Sequence, residues 1–134
     1  MNIDTTLGGY LIDVDGARHQ LPVVLNPNNS TIENVIKKVS SADKGVVVLK
    51  CEPTPEIGPE KLTMHADTGN FLLMLGVNDV NGNHNVRTLT NESTSNDLMI
   101  VMPEKYPAQI VIRDVSLVCT IFNEFARFRD VSLT

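Results

Sequence analysis

The sequence predicts an α+β fold, in which a largely antiparallel β-sheet carries two helices and the C-terminal helix packs on the sheet. Glycine-bearing turns separate apolar strand patterns at Asp15-Gly16 and at Thr68-Gly69, as in antiparallel hairpins. Two other segments place apolar residues at helical spacing. Since 134 residues suit one folding unit, we expect residues 1–134 to form a single α+β domain.

The first half of the chain contains a hairpin, a helix and a strand. The stretch "GYLIDVDGARHQLPVVL" alternates apolar and polar residues on both sides of a tight turn, and Pro22 assigns the second strand to an edge or a bulge. Ser30 followed by Glu33 forms a capping-box pattern, which predicts a helix from about Thr31 to Ser41. The β-branched run "GVVVLKCE" then predicts a strand.

The second half begins with the hairpin "KLTMHADTGNFLLMLGV". Its second strand, residues 71–75, is apolar on both faces. That pattern predicts a central strand covered on both sides, by helices or by another protein. "VRTLT" and "LMIVM" predict further strands, and a brief extended segment precedes the last helix.

The last helix contains three of the four phenylalanines in the chain. With Asp114 as N-cap, one apolar stripe has i, i+3, i+4, i+7 spacing and comprises Val118, Ile121, Phe122, Phe125 and Phe128. The opposite face is formed by Asn123, Glu124 and Arg127. We therefore expect the phenylalanines to be core residues that attach the helix to the sheet, rather than a docking surface.

Composition indicates a cytoplasmic protein that does not bind nucleic acid. Cys51 and Cys119 lie in apolar runs without zinc-site or redox spacing, which favours buried thiols in a reducing compartment. No secretion signal or membrane-spanning run is apparent. The net charge is −5 without a basic stripe, so a basic protein partner fits better than a phosphate backbone.

The motifs for catalysis are sparse. His65 and Asp67 share a strand face at i, i+2, which could orient an imidazole or supply two metal ligands, but no third ligand is apparent. Burial of Cys119 would make it a poor nucleophile. We therefore expect no catalytic site, metal or cofactor, and we interpret the pair as part of a solvated strand face.

Two loops are rich in carboxylates. Residues 78–97 contain Asp79, Glu92 and Asp97 with only Arg87 as a basic residue, and the preceding "EPTPEIGPE" loop contributes Glu56 and Glu60. Polar loops of this kind are solvated turns or recognition loops. We predict that these five carboxylates form the partner-binding residues.

The second half also resembles an immunity-protein family of bacterial polymorphic toxin and contact-dependent growth inhibition systems. The matching segments are "LTMHADTGNFLLMLGV", the glycine-bearing turn and "YPAQIVIRDVSLVCTIFNEF", whose Glu124 and Phe125 correspond to a Glu-Phe pair in that family's C-terminal helix. The resemblance covers about residues 61–132. It implies an α+β fold and a non-catalytic protein that binds a cognate toxin domain, often one acting on nucleic acid.

The resemblance thus predicts an immunity protein that neutralises its toxin by occlusion. One alternative is a self-associating or small-ligand-binding β-rich domain, whose partner would cover the strand at residues 71–75. Another is an enzyme that uses His65. The sequence leaves homo-oligomerisation open.

Overall fold

The computed structural model of the chain describes residues 4–89, 98–101, 104–107 and 111–131. Within these ranges the chain forms strands and two helices. In order, they are β1 (Asp4–Ile12), β2 (Arg18–Gln20), β3 (Val24–Leu25), α1 (Asn29–Ser40), β4 (Lys44–Glu52), β5 (Gly58–Asp67), β6 (Asn70–Asn78), β7 (His84–Thr88), β8 (Leu98–Val101), β9 (Glu104–Pro107), β10 (Val111–Ile112) and α2 (Val115–Phe128).

Eight of the strands form one antiparallel sheet, which confirms the predicted fold class. The main path runs β10-β6-β5-β4-β1-β2, while β3 also pairs with β1 and β7 also pairs with β6. Strands β8 and β9 form a separate antiparallel pair, and β8 approaches β5 and β6. The predicted hairpins at Asp15-Gly16 and Thr68-Gly69 are both present, between β1 and β2 and between β5 and β6.

Both helices cover one face of this sheet and enclose the main core. Residues that are neighbours across β4, β5 and β6, such as Val47, Met64 and Leu73, point to the helices and are fully buried. Phe122 and Phe125 of α2 are also fully buried, and each buried phenylalanine stabilises the fold by about 1.5 to 3 kcal/mol. The helices pack against each other and against β4.

Strand β6 lies inside the sheet and is buried from both faces within one chain. Phe71, Leu73 and Leu75 join the helix-side core. Leu72 points to the opposite face, where it is buried beside Val111 of β10. The prediction of a doubly covered central strand is confirmed. The alternative that another protein covers this strand is not needed, since the strand is already enclosed.

Helix α1 begins earlier than its capping-box pattern predicts. The N-cap is Asn28, which has extended backbone angles, and its side chain accepts a hydrogen bond from the Thr31 N–H at 2.8 Å. Ser30, the predicted N-cap, lies in the first turn. The prediction was wrong because both residue types cap helices well and the preceding chain decides which one is extended.

Helix α2 has the predicted N-cap, since Asp114 accepts from the N–H groups of Ser116 and Leu117. The predicted core stripe is correct through Phe125 but wrong for Phe128, which is 64% exposed at the last helical residue. Its ring lies 5.2 Å from the Arg127 guanidinium carbon. The helix ends at Phe128, and the chain changes direction at Arg129, which adopts a left-handed backbone conformation.

The polar face of α2 also differs in part from the expectation. Asn123 does not face away from the protein but lies half-buried, and its Nδ2 donates to the Glu33 carboxylate of α1 at 3.4 Å. Neither helix has the length and hydrophobicity to span a bilayer, among the residues that the structure describes.

Candidate protein-binding surface

Two of the predicted acidic segments meet at one end of the sheet. The β4–β5 loop, residues 53–57, leads into Gly58, and Gly58 pairs with Asn78 at the end of β6. The Asn78 side chain donates from Nδ2 to the Pro55 carbonyl oxygen at 2.8 Å. This bond ties the β4–β5 loop to the start of the β6–β7 loop. We call residues 53–60 and 78–84 the acidic end.

The β6–β7 loop is organised by Asp79. Its Oδ1 accepts from the backbone N–H groups of Asn81 and Asn83, both at 2.9 Å, and its Oδ2 accepts from Asn85 Nδ2 at 3.0 Å. The bond from the Asn83 N–H is the main cause that lowers the pKa of Asp79 below its usual 3.8. Asp79 therefore remains charged at neutral pH, but its oxygens already hold the turn together.

Glu60 and His84 join the two segments on the sheet itself. His84 Nδ1 lies 2.8 Å from Asn78 Oδ1 and 3.2 Å from Glu60 Oε2. Because Asn78 Oδ1 can only accept, Nδ1 carries the proton. The imidazole packs over Gly76, where a Cβ atom would meet the ring at 2.8 Å. Glu60 is thus held beside the imidazole.

Exposed apolar side chains accompany the carboxylates. Ile57 is 61% exposed at the end of the β4–β5 loop, and Val80 is 77% exposed in the β6–β7 loop. Glu56 beside Ile57 is exposed as well. Lys50 and Lys61 border the surface, and Lys50 pairs with Glu52 at 3.0 Å. The acidic end therefore presents two apolar contacts among carboxylates, on loops that are fastened to the sheet.

The structure thus brings together Glu56, Glu60 and Asp79 of the predicted binding residues. Glu92 and Asp97 lie outside the described residues. The sequence interpretation missed Ile57 and Val80. Their signal in the sequence was a single apolar residue within a polar loop.

The residues considered for catalysis are arranged differently from the expectation. Asp67 is buried and accepts from Thr68 Oγ1 at 3.1 Å, while His65 is half-buried, so the pair does not form a solvated strand face. Burial lowers the pKa of His65 and raises the pKa of the buried Cys51 and Cys119 thiols. In the described ranges, no cluster of three or more His, Cys, Asp or Glu side chains is arranged to hold a metal ion.

Comparisons with known proteins give a family and a related fold. A crystal structure of a hypothetical protein from Neisseria gonorrhoeae superposes with a TM-score of 0.82 at 28% sequence identity, covering 94% of this chain and 88% of that one. The search of curated proteins gives no match. Residues 4–134 match the model of the "Family of unknown function (DUF6911)", and the chain belongs to that family.

Proposed function

We propose that this chain is a non-catalytic immunity protein of the cytoplasm, which binds a cognate bacterial toxin domain and neutralises it by occlusion. The observation that carries the proposal is the acidic end, where exposed Ile57 and Val80 stand among Glu56, Glu60 and Asp79 on two loops tied by the Asn78–Pro55 bond. The resemblance of residues 61–132 to toxin-system immunity proteins supplies the class of partner.

The geometry suits a protein partner for two physical reasons, and the charge of the surface favours a basic one. Loops that are already fastened lose little freedom on binding, so more of the contact energy appears as affinity. Many protein interfaces consist of apolar residues surrounded by charged ones. The buried apolar residues contribute most of the affinity, and the charges increase the association rate. A toxin that acts on nucleic acid presents a basic cleft to its substrate, and the acidic end complements such a cleft.

The carboxylates should contribute unequally. Glu56 is exposed and free to meet a partner's cation, whereas Glu60 lies 3.2 Å from His84 Nδ1. Asp79 supports the loop through its three hydrogen bonds, so its replacement would disturb Val80 as well. A clean test therefore changes Val80 and Glu56 and leaves Asp79 in place.

The decisive variant is Val80→Lys, with Val14→Lys as its matched control. Val14 is 86% exposed at the same position of the β1–β2 loop, at the opposite end of the sheet. The test begins with a search for a toxin gene beside the gene of this chain, and an inactivated form of that toxin domain is the probe, measured by biolayer interferometry. We expect Val80→Lys to weaken binding by about tenfold or more, the loss typical of an interface anchor, and Val14→Lys to leave it within about twofold.

Glu56→Lys should mainly slow association and reduce its dependence on salt, because an exposed charge acts through long-range attraction. Equal binding by the wild type, Val80→Lys and Glu56→Lys at both low and high salt would rule out the acidic end as the interface. Equal losses with Val80→Lys and Val14→Lys would do the same.

A further inference from the structure

Strand β7 lies at an edge of the sheet, and half of its backbone polar groups point outward. Leu89 donates to the Leu73 carbonyl at 2.9 Å, and Asp79 donates to the Asn83 carbonyl at 2.9 Å, which identifies the hydrogen-bonded pairs between β6 and β7. Since these pairs alternate in an antiparallel ladder, Asn85 and Arg87 bond to β6. The N–H and C=O groups of His84, Val86 and Thr88 then face away from the sheet.

No strand in the described ranges pairs with this outer side of β7. His84 through Arg87 are exposed, and Val86 is 58% exposed opposite Gly76, which has no side chain to cover it. The segment contains neither proline nor lysine, the residues that commonly protect an edge from pairing. Three of the five residues of β7 thus present outward N–H and C=O groups that no strand of the described ranges pairs with.

The opposite edge of the sheet is interrupted. There β1 pairs with the three residues of β2 and the two residues of β3, and Pro22 lies in the break between them. Short strands and an intervening proline prevent extended pairing. The contrast singles out β7 as the edge that can accept another strand.

We propose that β7 pairs antiparallel with β7 of a second copy of this chain, about a two-fold axis at Val86. This register places Val86 opposite its own copy and His84 opposite Thr88 of the partner copy, so that all three outward residues form hydrogen-bonded pairs. Arg87 then lies opposite Asn85, and no charged residue directly opposes a like charge. The two sheets become one continuous antiparallel sheet, and the two exposed Val86 side chains pack together. The proposal does not depend on the proposed toxin-binding function.

The dimer should be weak, since one strand pair buries less surface than a standard stable interface. Sedimentation velocity of the full chain should therefore show a dimer that increases with concentration, with a dissociation constant of about 1 μM or weaker. Val86→Pro should weaken dimerisation at least tenfold, because proline removes an outward N–H and leaves the bonds to β6 intact. The control Gln20→Pro removes an outward N–H at the opposite edge and should leave dimerisation unchanged.

A second variant tests the register without relying on proline being tolerated. Paired Val86 residues would have Cα atoms about 5.5 Å apart, within disulfide range, so Val86→Cys should cross-link rapidly under mild oxidation. Val80→Cys, a more exposed position away from the edge, is the control. The native Cys51 and Cys119 are buried and should not compete. A monomer at every concentration, or cross-linking no faster in Val86→Cys than in Val80→Cys, would overturn the proposal.

Discussion

The β1–β2 loop and the β6–β7 loop are two copies of one turn at opposite ends of the sheet. Their sequences are "DVDGA" from Asp13 and "DVNGN" from Asp79. In each, the aspartate Oδ1 accepts the N–H groups two and four residues later. Gly16 and Gly82 occupy the same left-handed position, with φ of 83° and 81°.

The loops differ in what surrounds them. The second oxygen of Asp13 is 2.8 Å from His19 Nε2, whereas that of Asp79 accepts from the neutral Asn85 amide. The β6–β7 loop follows Asn78, whose side chain binds the β4–β5 loop, and so becomes part of a larger surface. Local sequence therefore builds the turn, while the tertiary neighbours decide whether the turn can take part in binding.

The largest effect that tests this equivalence comes from the glycines. Gly16→Ala and Gly82→Ala should each destabilise the protein by about 1 to 2 kcal/mol, because an L side chain is strained in the left-handed region. An added Cβ would meet no atom within 4 Å at either position, so the backbone conformation alone sets the loss. Urea unfolding measures both variants.

Gly8→Ala is the control, since Gly8 lacks a positive φ and its added Cβ would make an ordinary 3.7 Å contact with Val23. We expect it to leave stability unchanged or slightly improved. Losses at Gly16 and Gly82 that differ by more than about 1 kcal/mol would break the equivalence of the two turns.

Helix α2 shows which features the sequence could predict and which it could not. Helical spacing correctly placed Phe122 and Phe125 in the core and Asp114 at the cap, because both depend on residues within one helix. It failed for Phe128, since periodicity gives the direction of a side chain but not how far along the helix the opposing layer extends. The cap of α1 failed for a related reason, because the preceding chain chose Asn28 over Ser30.

The candidate surface was predictable only in pieces. The carboxylates of the two loops could be recognised from composition, and three of them, Glu56, Glu60 and Asp79, do lie at one end of the sheet. Their association depends on the pairing of Gly58 with Asn78 and on a bulge between Pro59 and Lys61, which no local pattern specifies. The position of exposed Ile57 and Val80 at the same end as these carboxylates also follows only from that arrangement.

A smaller effect should come from the charges of the two aspartates. Hydrogen bonds, chiefly from His19 and from the Asn83 N–H respectively, lower the pKa of Asp13 and of Asp79. Each carboxylate therefore stabilises the fold above the usual value of 3.8, and this contribution is lost as the pH falls through the lowered pKa. Asp13→Asn and Asp79→Asn keep the Oδ1 acceptor for the backbone N–H groups, but they remove the charge and replace Oδ2, the acceptor for the side-chain partner, by an NH2 group.

Each substitution should therefore lower the melting temperature at about pH 6, where the carboxylates are charged, by a few degrees at most because neither side chain is buried. The loss should become smaller as the pH falls below 3.8 and through the lowered pKa of each aspartate. Thermal unfolding across this range measures both variants. A loss that is the same at every pH would show that the charge of the carboxylate does not stabilise its turn.

The smallest expected effect comes from His19→Asn. This substitution makes the β1–β2 turn more like the β6–β7 turn, in which the corresponding residue is Asn85. The hydrogen bond from His19 is the largest cause of the lowered Asp13 pKa, so NMR titration of the carboxyl carbons should show the pKa of Asp13 rising in this variant. The pKa of Asp79, about 30 Å away along the strands, should stay where it is. Stability at neutral pH should hardly change, since the histidine is exposed. If the pKa of Asp13 does not move, an amide at this position lowers it as much as the imidazole does, and the two turns are equivalent in their electrostatics as well as in their backbone.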